Sequence, residues 1–270
     1  MTLFEPELPD ASAVPTVRVR IDVAYDGTGF HGFAENVGVR TVAGTLREAL
    51  ERVLGHRIEL TGAGRTDRGV HARGQVVTFD ASADRFDPVS LTRSLNKLLG
   101  PAIAVRSAAV APEGFDARFS AVARVYRYRI LHTPVHDPLL ARVVWHVPTP
   151  LDLNAMRIGA DALIGEHDFS SFCRKPDGEA SLVRRVLRTC WTDRGEGLLE
   201  FEIEAQSFCH QMVRSIVGTL VDMGLGKRKA GEMLAILAAR DRNVAGRVAP
   251  PQGLVLWEVR YPSDESAHSS

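Results

Sequence analysis

The sequence predicts an α+β protein built from two ferredoxin-like, RNP-like halves with antiparallel sheets flanked by helices and a cleft between the halves. Apolar residues alternate with polar ones in several segments, which is typical of half-buried strands, and recur at helical spacing in others. The same β-α-β-β-α-β order occurs twice along the 270 residues. A chain of this length can bury a sizeable core without a disulfide framework.

The first half is predicted over residues 16–115. It opens with a strand, because apolar and polar residues alternate from Val17 to Tyr25. A helix follows from Thr41, a suitable N-cap, to Gly55. The remaining elements of this half are strands at His56–Thr61 and Gly74–Asp80, a helix from Asp87-Pro88 to Gly100, and a strand at Ile103–Val110.

The second half is predicted over residues 116–262, and the two halves join near residues 111–120. Its elements are a strand at Arg124–Leu131, a helix at Asp152–Ile164 ended by Gly165, strands at Val183–Thr192 and Leu198–Ala205, a helix through Met212 and Val221, a further helix near Ala230–Ala239, and a last strand at Gly253–Tyr261. On the strand at Arg124–Leu131, Tyr126 and Tyr128 share one face and Arg127 and Arg129 the other. Tyr128 is expected in the core.

The formal charge of zero hides an excess of basic residues in the folded body. Two tails, at 1–15 and 263–270, are predicted to be disordered; they contain no Lys or Arg but hold five of the 33 acids. The body therefore has five more bases than acids. Most of these bases are arginine, which suits bidentate phosphate contact and stacking.

The sequence favours a cytoplasmic protein. Apolar stretches are too short for a membrane span, and the N-terminus lacks the basic and apolar segments of a secretory signal. The three cysteines, Cys173, Cys190 and Cys209, are widely spaced and fit no disulfide framework or paired metal motif. They are therefore expected to be free thiols, and no metal site is expected.

A glycine-rich loop from Thr61 to Gly74 is the strongest candidate for a functional site. It matches neither a dinucleotide fingerprint nor a P-loop. Its one acid, Asp67, lies among Arg65, Arg68 and other basic residues, whose positive charge favours the ionised form of a carboxylate. An ionised carboxylate suits a nucleophile or an oxocarbenium stabiliser. A turn Asp bonded to its own backbone is an equally open interpretation on the chemistry alone.

Several motifs decide between these interpretations, because together they resemble the tRNA pseudouridine synthase A (TruA) family. The central motif is Gly64-Arg65-Thr66-Asp67-x-Gly69-Val70-His71-Ala72. Supporting motifs are Tyr25-Asp26-Gly27-Thr28, Phe115-Asp116-Ala117-Arg118-Phe119-Ser120-Ala121, Arg124-Val125-Tyr126-Arg127-Tyr128, His167-Asp168-Phe169-Ser170-Ser171-Phe172, Phe208 through Gly218, and Gly253-Leu254 with Tyr261-Pro262. Ordered motifs over nearly the whole body are far more specific than one short match.

The resemblance implies a homodimer that binds the tRNA anticodon arm and isomerises uridines at positions 38 to 40 without cofactor or metal. It makes Asp67 the catalytic nucleophile. It assigns Tyr126 to packing against the target base and proton transfer, and Arg214 to an ion pair with Asp67. Substrate contacts are expected from Arg65, which displaces the base from the stack, and from Arg68, Tyr126 and Leu254.

The chain departs from the family pattern after Gly32. Phe33-Ala34-Glu35-Asn36 stands where relatives have Trp-Gln-x-Gln, and an RNA contact by this segment would alter tRNA choice or affinity. Arg68 replaces a small residue and adds a possible phosphate contact. The alternative function is a non-catalytic RNA-binding or RNA-folding protein of the same fold. His71 and His210 are expected to form loop or core hydrogen bonds, since no step clearly requires a histidine base.

Overall fold

A computed structural model of the chain describes residues 15–174 and 181–262, which contain ten strands and five α-helices. The chain forms two compact units. The first contains the residues up to Arg68 together with Ala72–Ala121, and the second contains Gly69–His71 and the residues from Val122 onward. The two predicted tails lie outside the described residues, except for Pro15. The chain is therefore a mixed α+β protein, as the sequence predicts.

The first unit has the predicted β-α-β-β-α-β order and an antiparallel sheet with the strand order β4-β1-β3-β2. Its elements are β1 (Thr16–Tyr25), α1 (Val42–Leu54), β2 (Thr61–Gly62), β3 (His71–Ser82, which enters this unit at Ala72), α2 (Pro88–Leu99) and β4 (Ile103–Val110). The predicted strand at His56–Thr61 is wrong over most of its length. The backbone N–H of Ile58 donates to the Glu51 carboxylate of α1, at 3.1 Å, and only Thr61 and Gly62 pair with β3.

The helices of the first unit begin where their capping residues predict. The hydroxyl of Thr41 accepts a hydrogen bond from the N–H of Gly44 at 3.2 Å, and Gly55 ends α1 in the left-handed conformation. The Asp87 carboxylate accepts from the N–H of Ser90 at 2.8 Å, ahead of a proline in the first turn of α2. These local bonds explain why both starts are readable from sequence.

The core of the first unit comes from the inward residues of the strands and one face of each helix. The fully buried side chains of β1 recur at every second position, as its alternation predicts. They are joined in the core by apolar residues of α1 and α2; this set is Val19, Ile21, Val23, Leu46, Leu50, Leu91 and Leu95. The polar side of β1 carries ion pairs such as Arg18 with Asp80, at 3.0 Å.

The second unit has a five-stranded antiparallel path in the order β10-β5-β9-β8-β7, with β6 parallel to β5. Its elements are β5 (Ala123–Leu131), β6 (Trp145–His146), α3 (Leu153–Asp161), β7 (Gly165–Asp168), β8 (Val183–Asp193), β9 (Leu198–Ala205), α4 (Met212–Gly224), α5 (Met233–Ala239) and β10 (Leu254–Arg260). Strands β6 and β7 were not predicted. Helix α3 ends before Ile164, and Gly165 starts β7 instead of ending the helix.

The two faces of β5 differ as its alternation predicts. Tyr128 is fully buried and donates its hydroxyl to the carbonyl of Pro250 at 2.7 Å. The opposite face carries arginine–glutamate pairs: Arg127 with Glu202 at 2.8 Å, Arg129 with Glu200 at 3.0 Å, Arg194 with Glu200 at 2.7 Å, and Arg260 with Glu204 at 2.9 Å. Much of the arginine in this unit is therefore already paired with carboxylates, which weakens the inference from net charge to phosphate binding.

Glu200 is the most enclosed carboxylate of this face, with 5% of its surface exposed. Burial opposes its ionisation, but hydrogen bonds from Arg194 and Arg129 and the charge of Arg127 together hold the pKa of Glu200 below its ordinary value. The carboxylate is therefore charged at neutral pH and anchors β9 to its neighbours.

The expectation of three free thiols is wrong for two of the cysteines. Cys173 and Cys209 form a disulfide, with Cα atoms 5.9 Å apart, and Cys190 is free. A separation of 36 residues gives no sign of this pairing in the sequence, because the tertiary fold brings the two residues together. None of the helices within the described ranges has the length and hydropathy needed to cross a membrane.

Candidate active site

The Asp67 loop, defined here as Ala63–Val70, connects β2 with β3 and exposes its two arginines. Arg65 and Arg68 are exposed, Thr66 is buried, and Asp67 is half-buried. Asp67 thus lies between a residue anchored in the protein interior and a residue directed to solvent. The carboxylate therefore lies near the protein surface, on a loop whose backbone is attached to the interior of the protein.

The first support of the loop is Gly32, whose backbone lies directly against it. A Cβ on Gly32 would be 2.8 Å from the carbonyl oxygen of Thr66 and 3.5 Å from the backbone N of Arg68. Gly32 also has a φ of +101°, which side chains other than glycine rarely adopt. The next residue, Phe33, donates its N–H to the Thr66 carbonyl at 3.1 Å. Only glycine allows this close approach to the residues that flank Asp67.

The second support is a pair of buried polar side chains. The hydroxyl of Tyr25 and that of Thr66 are 2.8 Å apart in a buried hydrogen bond. The amide of Gln75, which is fully buried, donates to the carbonyl of Gly64 at 2.7 Å. Burial raises the pKa of Tyr25 far above its ordinary value, so its hydroxyl stays neutral and able to donate. The loop is therefore bonded to the core on the N-terminal side of Asp67.

The segment that departs from the family pattern has a structural role in the first unit. Phe33 is 5% exposed, and its ring occupies the space next to Gly62, where a Cβ would overlap it. The ring of Tyr25 stacks on that of Phe33 with 6.3 Å between centroids. Glu35 is bound to Arg47 of α1 at 3.0 Å. Phe33 therefore supports the Asp67 loop from inside, and it does not present a surface for RNA.

The C-terminal end of the loop is held by residues of the second unit, to which Gly69–His71 belong. A Cβ on Gly69 would lie 3.0 Å from the Pro251 ring, and Gly69 has a φ of +77°. His71 is buried, and its Nε2 lies 3.0 Å from the carbonyl of Arg142. Since a carbonyl only accepts, Nε2 carries the proton. The predicted hydrogen-bonding role of His71 is confirmed.

Tyr126 lies in the middle of β5, opposite Ile203 of β9 and Leu256 of β10. It is 8% exposed, and its ring meets the edge of Phe208 with 5.0 Å between centroids. Leu254, at the start of β10, is also buried and pairs with Tyr128. The structure therefore gives both residues a fixed position in the sheet.

Arg214 lies in the first turn of α4 and is half-buried. Its Nε donates to the carbonyl of Ala249 at 2.7 Å, and the N–H of Ala249 donates back to the carbonyl of Arg214 at 3.0 Å. The 247–249 segment can approach α4 this closely because residue 218 is glycine, where a Cβ would overlap the carbonyl of Arg247. The guanidinium is thus oriented by a backbone contact.

Several residues of this arrangement were not singled out from the sequence. Gln75 and Pro251 contact the Asp67 loop and Ala249 binds Arg214, but none of these three residues lies in a family motif. Gln75 had a detectable signal, because it faces Val23 across the strands and thus occupies an inward position where an apolar residue is normal. Within residues 15–174 and 181–262, no three His, Cys, Asp or Glu side chains converge to hold a metal ion.

Comparison with known proteins identifies the family. Residues 22–120 and 160–262 match the family described as tRNA pseudouridine synthase. The tRNA pseudouridine synthase A of Frankia casuarinae is 46% identical over 253 residues, covering 92% of this chain and 90% of the relative. That of Thermosipho africanus is 42% identical over 244 residues, covering 90% of this chain and 99% of the relative. The chain therefore belongs to the tRNA pseudouridine synthase family, and it is an isomerase.

The chain is also similar, at low sequence identity, to a solved structure. The archaeal box H/ACA sRNP Nop10-Cbf5 complex is similar with a TM-score of 0.34 and 12% identity, over 76% of this chain and 42% of that chain. A similarity this low supports no argument about the site.

Proposed function

We propose that the chain converts uridine to pseudouridine in the anticodon arm of tRNA, at positions 38, 39 and 40, with Asp67 as the catalytic carboxylate. Family membership supports the reaction and the substrate. The main observation in favour of a catalytic role for Asp67 is that Gly32, Tyr25 and Gln75 hold its loop in place. A turn that only connects two strands would not need such buried polar anchors.

The reaction breaks the bond between N1 of the base and C1′ of the ribose, turns the base, and joins C5 to C1′. The hydrogen on C5 leaves as a proton, and one returns to N1. Atoms and electrons balance without a cofactor or metal, so the proposal includes neither. Asp67 can begin the reaction by attacking C1′, by adding to C6 of the base or by removing the 2′ proton, and a fixed carboxylate suits all three routes.

Base flipping is part of the proposal, because the glycosidic bond and C5 are inaccessible in a paired stem. Exposed Arg65, next to the anchored Thr66, is assigned to the space that the base vacates. Arg68, also exposed, is assigned to a phosphate. Tyr126 is assigned to packing against the flipped base and to proton transfer, and Leu254 to substrate contact. Their fixed positions in the sheet, Tyr126 on β5 and Leu254 at the start of β10, support these two assignments.

Arg214 is assigned to an ion pair with Asp67. Because Nε is bonded to the carbonyl of Ala249, the pair would use the two Nη atoms end-on, as a bidentate fork. A mostly apolar helix is a costly place for a guanidinium without a carboxylate.

The remaining parts of the proposal are a homodimer, a cytoplasmic location and two ferredoxin-like halves around a cleft. The first two follow from the resemblance and from the substrate class. The ferredoxin-like halves are supported by the β-α-β-β-α-β order of the first unit.

The test is Asp67→Asn, measured as release of tritium from tRNA labelled at uridine C5. We expect turnover to fall roughly 10³-fold or more, because loss of a nucleophile removes the chemical step. Binding of tRNA should change less than about threefold. Asp80→Asn, which removes an exposed carboxylate paired with Arg18 in the same unit, is the matched control and should keep full activity. Normal pseudouridine formation by Asp67→Asn would instead point to an RNA-binding or RNA-folding protein.

A further inference from the structure

Phe119 is an exposed aromatic residue that has no role in the proposed reaction. It is 80% exposed, and it is the one aromatic residue among the exposed large hydrophobic side chains of the described ranges. It lies in the segment between β4 and β5, in the first unit. A single exposed apolar residue is common on protein surfaces. What distinguishes Phe119 is how firmly the backbone beneath it is held.

The turn under Phe119 is bonded on both sides. One carboxylate oxygen of Asp116 accepts from the N–H of Arg118 at 2.7 Å and from the N–H of Phe119 at 2.8 Å. The N–H of Asp116 donates to the hydroxyl of Ser120 at 3.0 Å, and the N–H of Ser120 donates to the carbonyl of Asp116 at 3.0 Å. The ring is therefore presented by a closed turn whose backbone freedom has already been lost.

The turn is also attached to the sheet. Ala117 is fully buried, and its N–H donates to the hydroxyl of Thr78 on β3 at 3.3 Å. One residue later, the guanidinium of Arg118 lies 5.3 Å from the centroid of the Phe119 ring. This contact is a cation–π pair of two planar groups. The buried anchor directs both side chains outward together.

We propose that Phe119, with Arg118 beside it, forms a stacking platform for an unpaired nucleobase of the tRNA, other than the target uridine. This proposal rests on tRNA being the substrate. Bases of single-stranded RNA loops are bound by stacking on aromatic rings and guanidinium planes. Because the backbone of the turn is already held, little backbone entropy is lost when a base stacks on the ring.

The chemistry of the turn favours a base over a phosphate group. The N–H groups of Arg118 and Phe119 are already bonded to Asp116, so they are not offered to a phosphate. The carboxylate of Asp116 at the same place repels an anion. A phenyl ring has no hydrogen-bonding group with which to distinguish one base from another. Because every nucleobase has a π-face, the platform would bind any of the bases.

The test measures the Kd for a full-length tRNA with the complete chain at one fixed salt concentration. Phe119→Ala should raise the Kd about 5-fold to 150-fold, the range for loss of one base–aromatic stack. Phe119→Tyr should remain within about twofold of the wild type, because it keeps the ring. Phe119→Leu should be nearly as weak as Phe119→Ala, because it keeps apolar bulk without a π-face. Val89→Ala, at an exposed apolar residue of α2, is the control and should change nothing.

Three further measurements make the result decisive. The slope of log Kd against log salt should be the same for Phe119→Ala and wild type, since no phosphate contact is lost. Turnover at saturating tRNA should be unchanged, and so should the melting temperature. The proposal is overturned if Phe119→Ala binds tRNA as well as wild type, if Phe119→Leu binds as well as Phe119→Tyr, or if Phe119→Ala alters only the oligomeric mass. Failure of the proposed reaction would be visible separately, as absent pseudouridine in the wild type.

Discussion

Replacing Gly32 with alanine tests whether the contact beneath the Asp67 loop positions the carboxylate that we propose to be catalytic. The added Cβ would stand 2.8 Å from the carbonyl oxygen of Thr66, whereas ordinary contacts begin at 3.4 Å. The two backbone segments must therefore part by about 0.6 Å, which exceeds the roughly 0.5 Å within which a catalytic geometry must be held. A φ of +101° adds strain of about 1–2 kcal/mol for alanine.

Two effects follow from these magnitudes. The melting temperature should fall by about 2–8 °C, given the strain and the size of the chain. The single-turnover rate at saturating tRNA should fall roughly 10-fold to 100-fold, because displacement of a reacting group by a fraction of an ångström is costly. The Kd for tRNA should change little, since Gly32 itself is buried beneath the loop. The assay is tritium release from C5-labelled tRNA in a rapid-quench experiment.

The matched control is Gly29→Ala. Gly29 lies three residues earlier, a Cβ added there would meet no atom within 4 Å, and its φ is not positive. This variant should keep the wild-type rate and melting temperature. If Gly32→Ala lowers the melting temperature as expected but retains the single-turnover rate within about twofold, the idea that this contact positions Asp67 is refuted.

Three other predictions follow from single contacts. Tyr25→Phe removes the hydrogen bond to Thr66, so the single-turnover rate should fall roughly threefold to tenfold with an unchanged Kd for tRNA; an unchanged rate would show that this bond does not support catalysis. Arg214→Lys should lower the same rate roughly 10-fold to 100-fold, because lysine cannot form a bidentate fork, and full activity would contradict the proposed ion pair. Glu200→Gln should lower the free energy of unfolding at pH 7 by about 1–3 kcal/mol in urea titrations. Because the folded-state pKa of Glu200 is depressed, the charged carboxylate stabilises the fold above the unfolded pKa of about 4.3, and this stabilisation is lost as the pH falls through the folded pKa. The difference in unfolding free energy between wild type and Glu200→Gln should therefore shrink in acid. A difference that does not depend on pH would argue against a charge effect.

Much of the fold can be predicted from the sequence because it depends on interactions between residues that are close together along the chain. The alternation in β1 and the N-caps at Thr41 and Asp87 involve residues one to three positions apart, and the structure confirms all three. Strands β6 and β7 escaped prediction because two and four residues are too few to establish a period. The same limits apply at boundaries, where Gly165 has the character of a helix terminator and instead starts a strand.

The sequence also predicts the chemistry of the candidate site, but it does not predict which residues hold the site in place. A motif identifies Asp67 because glycine, arginine and aspartate types recur together in one loop. Nothing local indicates that Gly32 meets Thr66, that Gln75 bonds Gly64, or that Phe33 fills the space beside Gly62. The disulfide of Cys173 and Cys209 was missed for the same reason.

Residue type and local order thus determined the mixed α+β class and the family motifs of this protein, and they predicted its reactive group. The tertiary structure decided which residues hold that group in place, which polar groups are buried together, and which aromatic ring is left in solvent at Phe119. The physical reason is the distance along the chain over which each kind of interaction acts. Helix caps and strand alternation depend on residues a few positions apart. Close packing joins residues that are separated by tens of positions, and the spacing of these residues in the sequence does not indicate that they are in contact.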